Sequence, residues 1–521
     1  AGGVGGGTVY IRGGRLQLSN ANVFASASGT GSGDPGMGVD AEISGDVIFN
    51  GSAMGANVFS GVETDSGGVR LTAENIALMN FSEIQSVANT GSLGKSGDIE
   101  VAARSDLTLD YGSMIRTGTG GSGDSGDIQI DASNIAIRDG SSLYSPVFGG
   151  SGNGGDIDIY AEGIEFSNNF PGYLTGINTR TYNPGTGKAG DISIHTERLN
   201  ITAGTEISTP TFFTGQGGNI SLTSTEFISI EGSENLAPFA TGIFANTLYG
   251  SGQGGNLQLT TNRLDMTTNT AIQVGTFWGT GHAGDARIEA QTMQLQDASF
   301  ITTTGQFGNG GNAGNLEVIA DSIYISGSEG SSDPFGSGFT GMSTMAGPWG
   351  GEGGQLKITA TDNLTLTNRS QIGTGSAGPG PGGDTEIITG LLEVNNGANI
   401  QSIAKGSGDA GNIQIVANQV RVSGVHPDPF FNDITGEANL APSAITTQTL
   451  DQGGRAGDVM ITADAIEVTD GAVIDARTFG PGDGGNIHFN AESVSIGGEN
   501  ADMREFLASQ GKSPFVARSR V

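Results

Sequence analysis

Apolar and polar residues alternate in short runs along this chain, and the runs themselves repeat. From Gly97 the sequence GDIEVAARSDLTLDYGSMIRTGTGGSGDSGDIQIDASNIAIRDGSSLYS holds one unit and the start of the next. Ile99, Val101 and Ala103 alternate with polar residues, then Leu107 and Leu109, then Ile115 and Thr117, with glycine-rich breaks between. The second copy repeats the order with Ile128, Ile130 and Ala132, then Ile135 and Ile137, then Leu143 and Ser145. Period-two alternation predicts strands with one buried face, so a unit is three short strands and three corners, one turn of a coil.

The first inward residue of each unit marks the repeat: Val9, Val39, Val69, Ile99, Ile128, Ile157, Ile192, Ile220, Leu257, Ala286, Leu316, Leu356, Thr385, Ile413, Val459 and Ile487. These predict about sixteen coils, most of them about 29 residues long. Such a unit buries its apolar face only by stacking on its neighbours, which puts ladders of Ile, Val and Leu inside a tube. The predicted fold is all-β, a right-handed parallel β-helix (β-solenoid) forming a single body over residues 1–521, right-handed because parallel crossovers follow strand twist. At about 4.8 Å per coil it would be a rod of roughly 75 to 80 Å.

Five coils carry extra residues, all at the corner between the second and third strands: near 167–176, 231–242, 327–341, 423–444 and 497–515. These insertions would line one side of the solenoid. They hold Phe170, Pro171, Tyr173, Leu236, Phe239, Phe335, Phe339, His426, Phe430, Phe431, Leu440, Phe506, Leu507 and Phe515. Such a ridge can bind sugar, contact protein, or pack as a satellite apolar cluster on its own coil. With Trp278 and Trp349 the only tryptophans, contact or local packing is the better expectation.

Composition narrows the function classes. The 92 glycines follow no every-third-residue rule, which excludes collagen, and the regular apolar spacing excludes disorder. A formal charge of −32 argues against nucleic acid as a partner and favours cations. With no cysteine there is no disulfide framework or thiolate chemistry. No apolar run is long enough to span a bilayer, and no signal peptide stands at Ala1, so the sequence reads as a mature form or a fragment.

The units from Gly97, GDIEVAARSDLTLDYGSMIRTGTG, and from Gly457, GDVMITADAIEVTDGAVIDARTFGPGDGGNI, resemble the repeats of filamentous-haemagglutinin-type exoproteins of two-partner secretion, especially the glycine-rich cyanobacterial kind. The resemblance covers nearly the whole chain. It implies a right-handed parallel β-helix and a secreted, extracellular or cell-surface adhesin. A counterpart of the family's N-terminal secretion domain is not recognisable, since Ala1 leads within a few residues into an ordinary coil.

Asp or Asn follows Gly just before most markers: Asp98, Asp127, Asp156, Asp191, Asn219, Asn256, Asp285, Asn315, Asp384, Asn412, Asp458 and Asn486. On a solenoid these stack as a corner ladder. One reading is calcium, a hard cation that takes such oxygens, with Asp98, Asp127, Asp156 and Asp191 as the candidate ligands. The competing reading is a turn cap, the side chains bonding backbone N–H groups while Gly supplies a positive φ. Parallel β-helices also carry polysaccharide lyases and hydrolases, whose sites need carboxylates, or a carboxylate with Arg or Lys, converging across coils. No such constellation emerges: the five lysines and His195, His282, His426 and His488 are dispersed, and no Ser or Thr has a matched His and acid.

Neither end shows a capping repeat. Val9 and Ile11 open the first strand, and Ala517, Ser519 and Val521, if Ala517 takes the place of Ile445, close the sixteenth coil with Arg518 and Arg520 outward. A whole number of coils with open ends predicts head-to-tail stacking, a heterologous contact that builds a filament. The expected function is a secreted, non-enzymatic subunit of an extracellular filament whose main partner is itself. A cell-surface or matrix polysaccharide is the second partner class. The alternatives are a monomeric adhesin rod and a polysaccharide-active enzyme.

Overall fold

β-Branched and leucine side chains at alternate positions suit a pleated strand, and here they also meet their own kind one coil away. The computed structural model describes residues 7–27, 36–170, 174–182, 187–202, 204–233, 241–306, 311–327, 340–431, 438–450, 453–510 and 518–521, with backbone only at 306, 430, 431, 438 and 439. The protein is nearly all β, its parallel strands stacked as a right-handed β-solenoid of about fifteen turns with one short helix. It divides into two compact units, Ala1–Thr261 and Asn262–Val521.

In the first unit the markers pair in parallel, residue to residue: Val9 with Val39, then Val69, Ile99, Ile128, Ile157, Ile192 and Ile220. In the second, Ala286 pairs with Leu316, then Leu356, Thr385, Ile413, Val459 and Ile487 follow. The third strands form their own ladders, Ile84–Ile115–Leu143–Ile177–Ile207–Ile243 and Ile272–Ile301–Met342–Ile372–Ile400–Ile445–Ile474. Val39, Val47 and Phe49 of the second coil are fully buried.

The three-strand unit needs one correction. In the first three coils the first two strands are separate, as in Val9–Gly13 and Leu16–Ser19. From Ile99–Leu109 onward they run together as strands of eleven or twelve residues. Backbone bonding runs through the bend in both kinds of coil, Ser44 N–H donating to Gly13 O and Ser105 N–H to Glu74 O at 2.9 Å, and in the merged strand a register shift between Ala103 and Asp106 absorbs the turn.

The lumen is not wholly apolar. Two residues after the inward apolar position of many third strands stands a buried hydroxyl that ties the glycine-rich corner. Thr179, Thr209, Thr303 and Thr344 donate to the carbonyls of Gly190, Gly218, Gly314 and Gly354 at 2.5, 2.6, 2.6 and 2.5 Å. An unpaired buried carbonyl is costly, so Thr209→Val, isosteric but without a donor, is expected to destabilise the first unit by about 1 to 2 kcal/mol, read as a lower thermal midpoint.

Candidate functional site

The Asp/Asn row is the most regular chemical feature of the fold. Each side-chain oxygen accepts the backbone N–H of the corresponding residue in the next coil: Asp98 from Asp127 at 2.9 Å, Asp127 from Asp156 at 2.8 Å, Asp156 from Asp191 and Asp191 from Asn219 at 2.7 Å. The second unit repeats it with Asp384 accepting from Asn412 (2.7 Å), Asn412 from Asp458 (2.9 Å) and Asp458 from Asn486 (2.8 Å). The row therefore caps the turn, and it caps from coil to coil rather than within one corner.

The glycine preceding each of these residues serves a different purpose from the one expected. Gly126, Gly155, Gly190 and Gly218 do not have positive φ. A Cβ at Gly190 would instead lie 1.9 Å from the carbonyl oxygen of Gly155, and one at Gly218 equally close to that of Gly190. Close approach of stacked backbones, not left-handed geometry, demands glycine here.

Three residues upstream runs a second row, missed in the sequence because its residues are chemically mixed. Asp65 accepts from Lys95 N–H at 2.7 Å, Asp124 from Asn153 and Asn153 from Lys188 at 2.9 Å. Between the two rows in the first unit lies an open trough of about 560 Å³ lined by Asp65, Lys95, Asp98, Asp124, Asp127 and Asp156 among others. Its one lysine is engaged, Lys95 Nζ lying 3.4 Å from Asp124.

Neighbours decide how each carboxyl in the row titrates. Burial pushes Asp127 above its ordinary 3.8; the Asp156 N–H opposes this, and the charges of Asp156, Asp98 and Asp158 reinforce it. Asp458 is lowered, first by the Asn486 N–H and then by the Asn486 side chain and Arg455. The linkage signs are opposite. The contribution of Asp127 to stability is fully present below its unfolded pKa and is lost as pH rises through the higher folded value. That of Asp458 is present above the unfolded pKa and is lost as pH falls through the lower folded value. Asp127→Asn is therefore expected to raise the melting midpoint at pH 7 and Asp458→Asn to lower it, both differences shrinking toward pH 3 in melts followed by circular dichroism.

For calcium, the outcome is that one oxygen on each of Asp98, Asp127, Asp156 and Asp191 is taken by a backbone donor, and Asp191 also pairs with Lys188 Nζ at 2.9 Å. Among the described residues no three His, Asp or Glu side chains gather as a metal-binding group.

The loop ridge resolves in part. Phe170 is exposed. Tyr173, Leu236, Phe239, Phe335, Phe339 and Phe515 lie outside the described residues. Phe430 and Phe431 belong to a hairpin, Val425–Phe431 with Ala438–Pro442, and pair with Asn439 and Ala438. Leu440 from that hairpin packs with Val425, Met503, Leu507 and Phe506 as a satellite apolar cluster. The last three come from helix α1, Ala501–Ser509, which starts where Asn500 Oδ1 accepts the Met503 N–H at 2.9 Å. At this place the ridge is local packing.

Outward cations bind coil to coil: Arg70 with Glu100 at 2.6 Å, Arg116 with Glu83 and Arg138 with Glu165 at 3.1 Å, Arg180 with Glu206 at 2.9 Å, Arg421 with Glu393 at 3.3 Å. The fold does bring one Ser, His and Asp together, unforeseen because the partners are a coil apart. Ser193 Oγ lies 3.4 Å from His195 Nε2 and also bonds Asp158, while the imidazole stacks on Tyr160 with ring centres 5.1 Å apart. The carboxylate thus holds the hydroxyl, whereas a nucleophile would need it on the far side of the imidazole.

The two outermost strands differ from the rest. In Ile487–Gly497, Val494 and Ile496 are 45% and 47% exposed, while their register partners Ile466 and Val468 are 1% and 0%. At the other extreme Val9, Ile11, Leu16 and Leu18 are half-buried, whereas Val39, Ala41, Val47 and Phe49, opposite them, are fully buried.

The expected closing strand is corrected. Arg520 reaches the third-strand ladder, bridging Val473. Ser519 accepts the Gly471 N–H at 3.0 Å and donates to Gly497 O at 2.8 Å, as Ser443 does with Gly397 and Ser423 at 3.0 and 2.7 Å. Ser519 thus occupies the place of Ser443, which puts Val521, four residues later than anticipated, in the row of Ile445. Arg518 bridges Glu499, and Ala517 itself lies outside the described residues. Arg520 is half-buried, and burial together with the like charge of Arg477 lowers its pKa, with Asp475 opposing. The corner serine, rather than the count of apolar positions, sets this register.

Among the described residues no helix is long and apolar enough to cross a membrane. Comparison of the chain with protein-family models, with curated proteins and with solved structures gives no match.

Proposed function

We propose that this chain is a non-enzymatic structural protein, a secreted subunit that joins end to end into an extracellular filament or surface fibre. The observation that carries the reading is the stacking itself, in which each marker pairs with the next coil's marker at every described junction within a unit, a register that one chain can offer to another. Support for an extracellular setting comes from the resemblance of the repeats to filamentous-haemagglutinin-type exoproteins. The coil-to-coil use of outward arginines supports a scaffold over a polysaccharide-active enzyme, which would need such groups turned toward substrate.

Electron microscopy of the purified chain across a concentration series, with and without chelator, tests this. Continuous filaments with a regular axial repeat are the expected result, and dissolution in chelator would assign a role to calcium. Monodisperse short particles at high concentration would overturn the filament and leave a monomeric surface module.

A further inference from the structure

We propose that two adjacent corners in the first unit, which follow the short strands Thr211–Phe212 and Thr247–Leu248, form a binding site for a neutral polysaccharide, with Phe213 and Tyr249 as its platform. This corner is not the one that carries the insertions, and the proposal does not depend on copies joining end to end.

The backbone gives the first sign. Phe213 and Tyr249 have φ of 79° and 62°, in the left-handed region where bulky side chains are rare and glycine is the default. The next coil holds the Phe213 peptide on both sides: its N–H donates to Leu248 O at 2.9 Å, and its carbonyl accepts the Gly252 N–H at 3.3 Å. A Cβ at Gly250 would overlap that same carbonyl oxygen, so the two corners stack backbone on backbone. Residues held in such conformations mark places where the displayed side chain has a use. Burial is not that use, since Phe213 is 38% and Tyr249 54% exposed.

The neighbouring row supplies the contrast. Phe148, Tyr182 and Phe212 stack ring on ring, with centroids 5.9 and 5.7 Å apart and planes within 5° and 9° of parallel, so they cover one another's faces. Phe212 then meets Leu248 in the next coil. Phe213 and Tyr249, one residue further along, stand toward solvent on coils about 4.8 Å apart.

Charge selects the ligand. The chain carries a formal −32, yet FFTGQGGN from Phe212 and LYGSGQGGN from Leu248 contain no charged residue, and the corner row here is Asn219 and Asn256 rather than Asp. Gln216 and Gln253 are exposed at the same place in both corners, each fixed by a threonine: Thr211 Oγ1 donates to Gln216 O at 3.0 Å and Thr247 Oγ1 to Gln253 O at 2.9 Å. Aromatic rings beside amides that both donate and accept suit a sugar, which has apolar C–H faces and a rim of hydroxyls. An anionic polysaccharide would be repelled by the acidic body. Two half-exposed rings offer at most a few hundred Å², against the roughly 1,200 Å² or more that a stable protein interface buries.

Affinity electrophoresis of the full chain through gels containing hydroxyethylcellulose, galactomannan or alginate tests the site. Retardation by a neutral polymer and none by alginate is expected. Phe213→Gly combined with Tyr249→Gly removes both rings and gives each position the residue its φ favours, so the melting midpoint should hold or rise while the association constant falls roughly tenfold or more. Gln216→Ala combined with Gln253→Ala should weaken binding about fivefold. Retardation by alginate alone, or by none of the three polymers, overturns the proposal, as does binding that survives the double glycine change. A lower midpoint in that variant would make the rings packing groups of the corner and overturn it too. Sedimentation of the same chains covers the remaining occupant: self-association lost with the rings would assign them to a second copy instead of a sugar.

Discussion

Gly190→Ala is expected to lower the stability of the first unit by about 3 kcal/mol, the upper range for overpacking a site that cannot relax. The added methyl would sit 1.9 Å from the Gly155 carbonyl oxygen and 2.5 Å from its carbon, both backbone atoms held in ladders on either side. Relief would require separating two coils, which breaks the Asp156 to Asp191 cap. Gly163→Ala is the internal control. Its Cβ would meet only side-chain ends, Asn134 at 3.3 Å and Arg198 at 3.7 Å, so reduced unfolded-state freedom should dominate and stabilise by up to about 0.5 kcal/mol. Paired thermal melts suffice: two Gly-to-Ala changes of opposite sign in one unit. Equal, small effects would mean that the corners are looser than drawn.

Ile496→Lys is expected to abolish assembly while leaving the subunit folded. In the isolated chain Ile496 is 47% exposed at an outermost strand, so an ammonium there stays hydrated and the melting midpoint should shift by no more than about 0.5 kcal/mol allows. In the joint the same position would be sealed as Val468 is, at 0% exposure, and an unpaired charge would be buried. A cost of about 3 kcal/mol at one contact raises the dissociation constant roughly a hundredfold. Sedimentation of wild-type and variant chains at matched concentration reads this directly. Filaments unaffected by the lysine would show that the inner face of Ile487–Gly497 is not the joint.

Both expectations concern backbones stacked at van der Waals distance, which is where the amino-acid pattern and the tertiary structure divide the explanation. The apolar alternation alone located the first inward residue of every coil, because side-chain period is a local property of a strand and repeats whatever surrounds it. The order of the ladders followed too, since a three-strand unit has no other way to bury its face. The same pattern placed Asp98, Asp127, Asp156 and Asp191 in one row and identified a backbone cap as one of two roles for them.

Only the folded chain decided the rest. Which N–H each carboxylate caps, and whether Asp127 titrates high while Asp458 titrates low, depends on residues roughly a coil away in sequence that become contacts only on stacking. The glycine before each Asp is needed for a carbonyl in the neighbouring coil, which no local turn rule reveals. Ser193, His195 and Asp158 meet for the same reason. Strand alternation is set by the pleat, one residue at a time; contacts between coils are set by register, and register exists only once the coils are stacked.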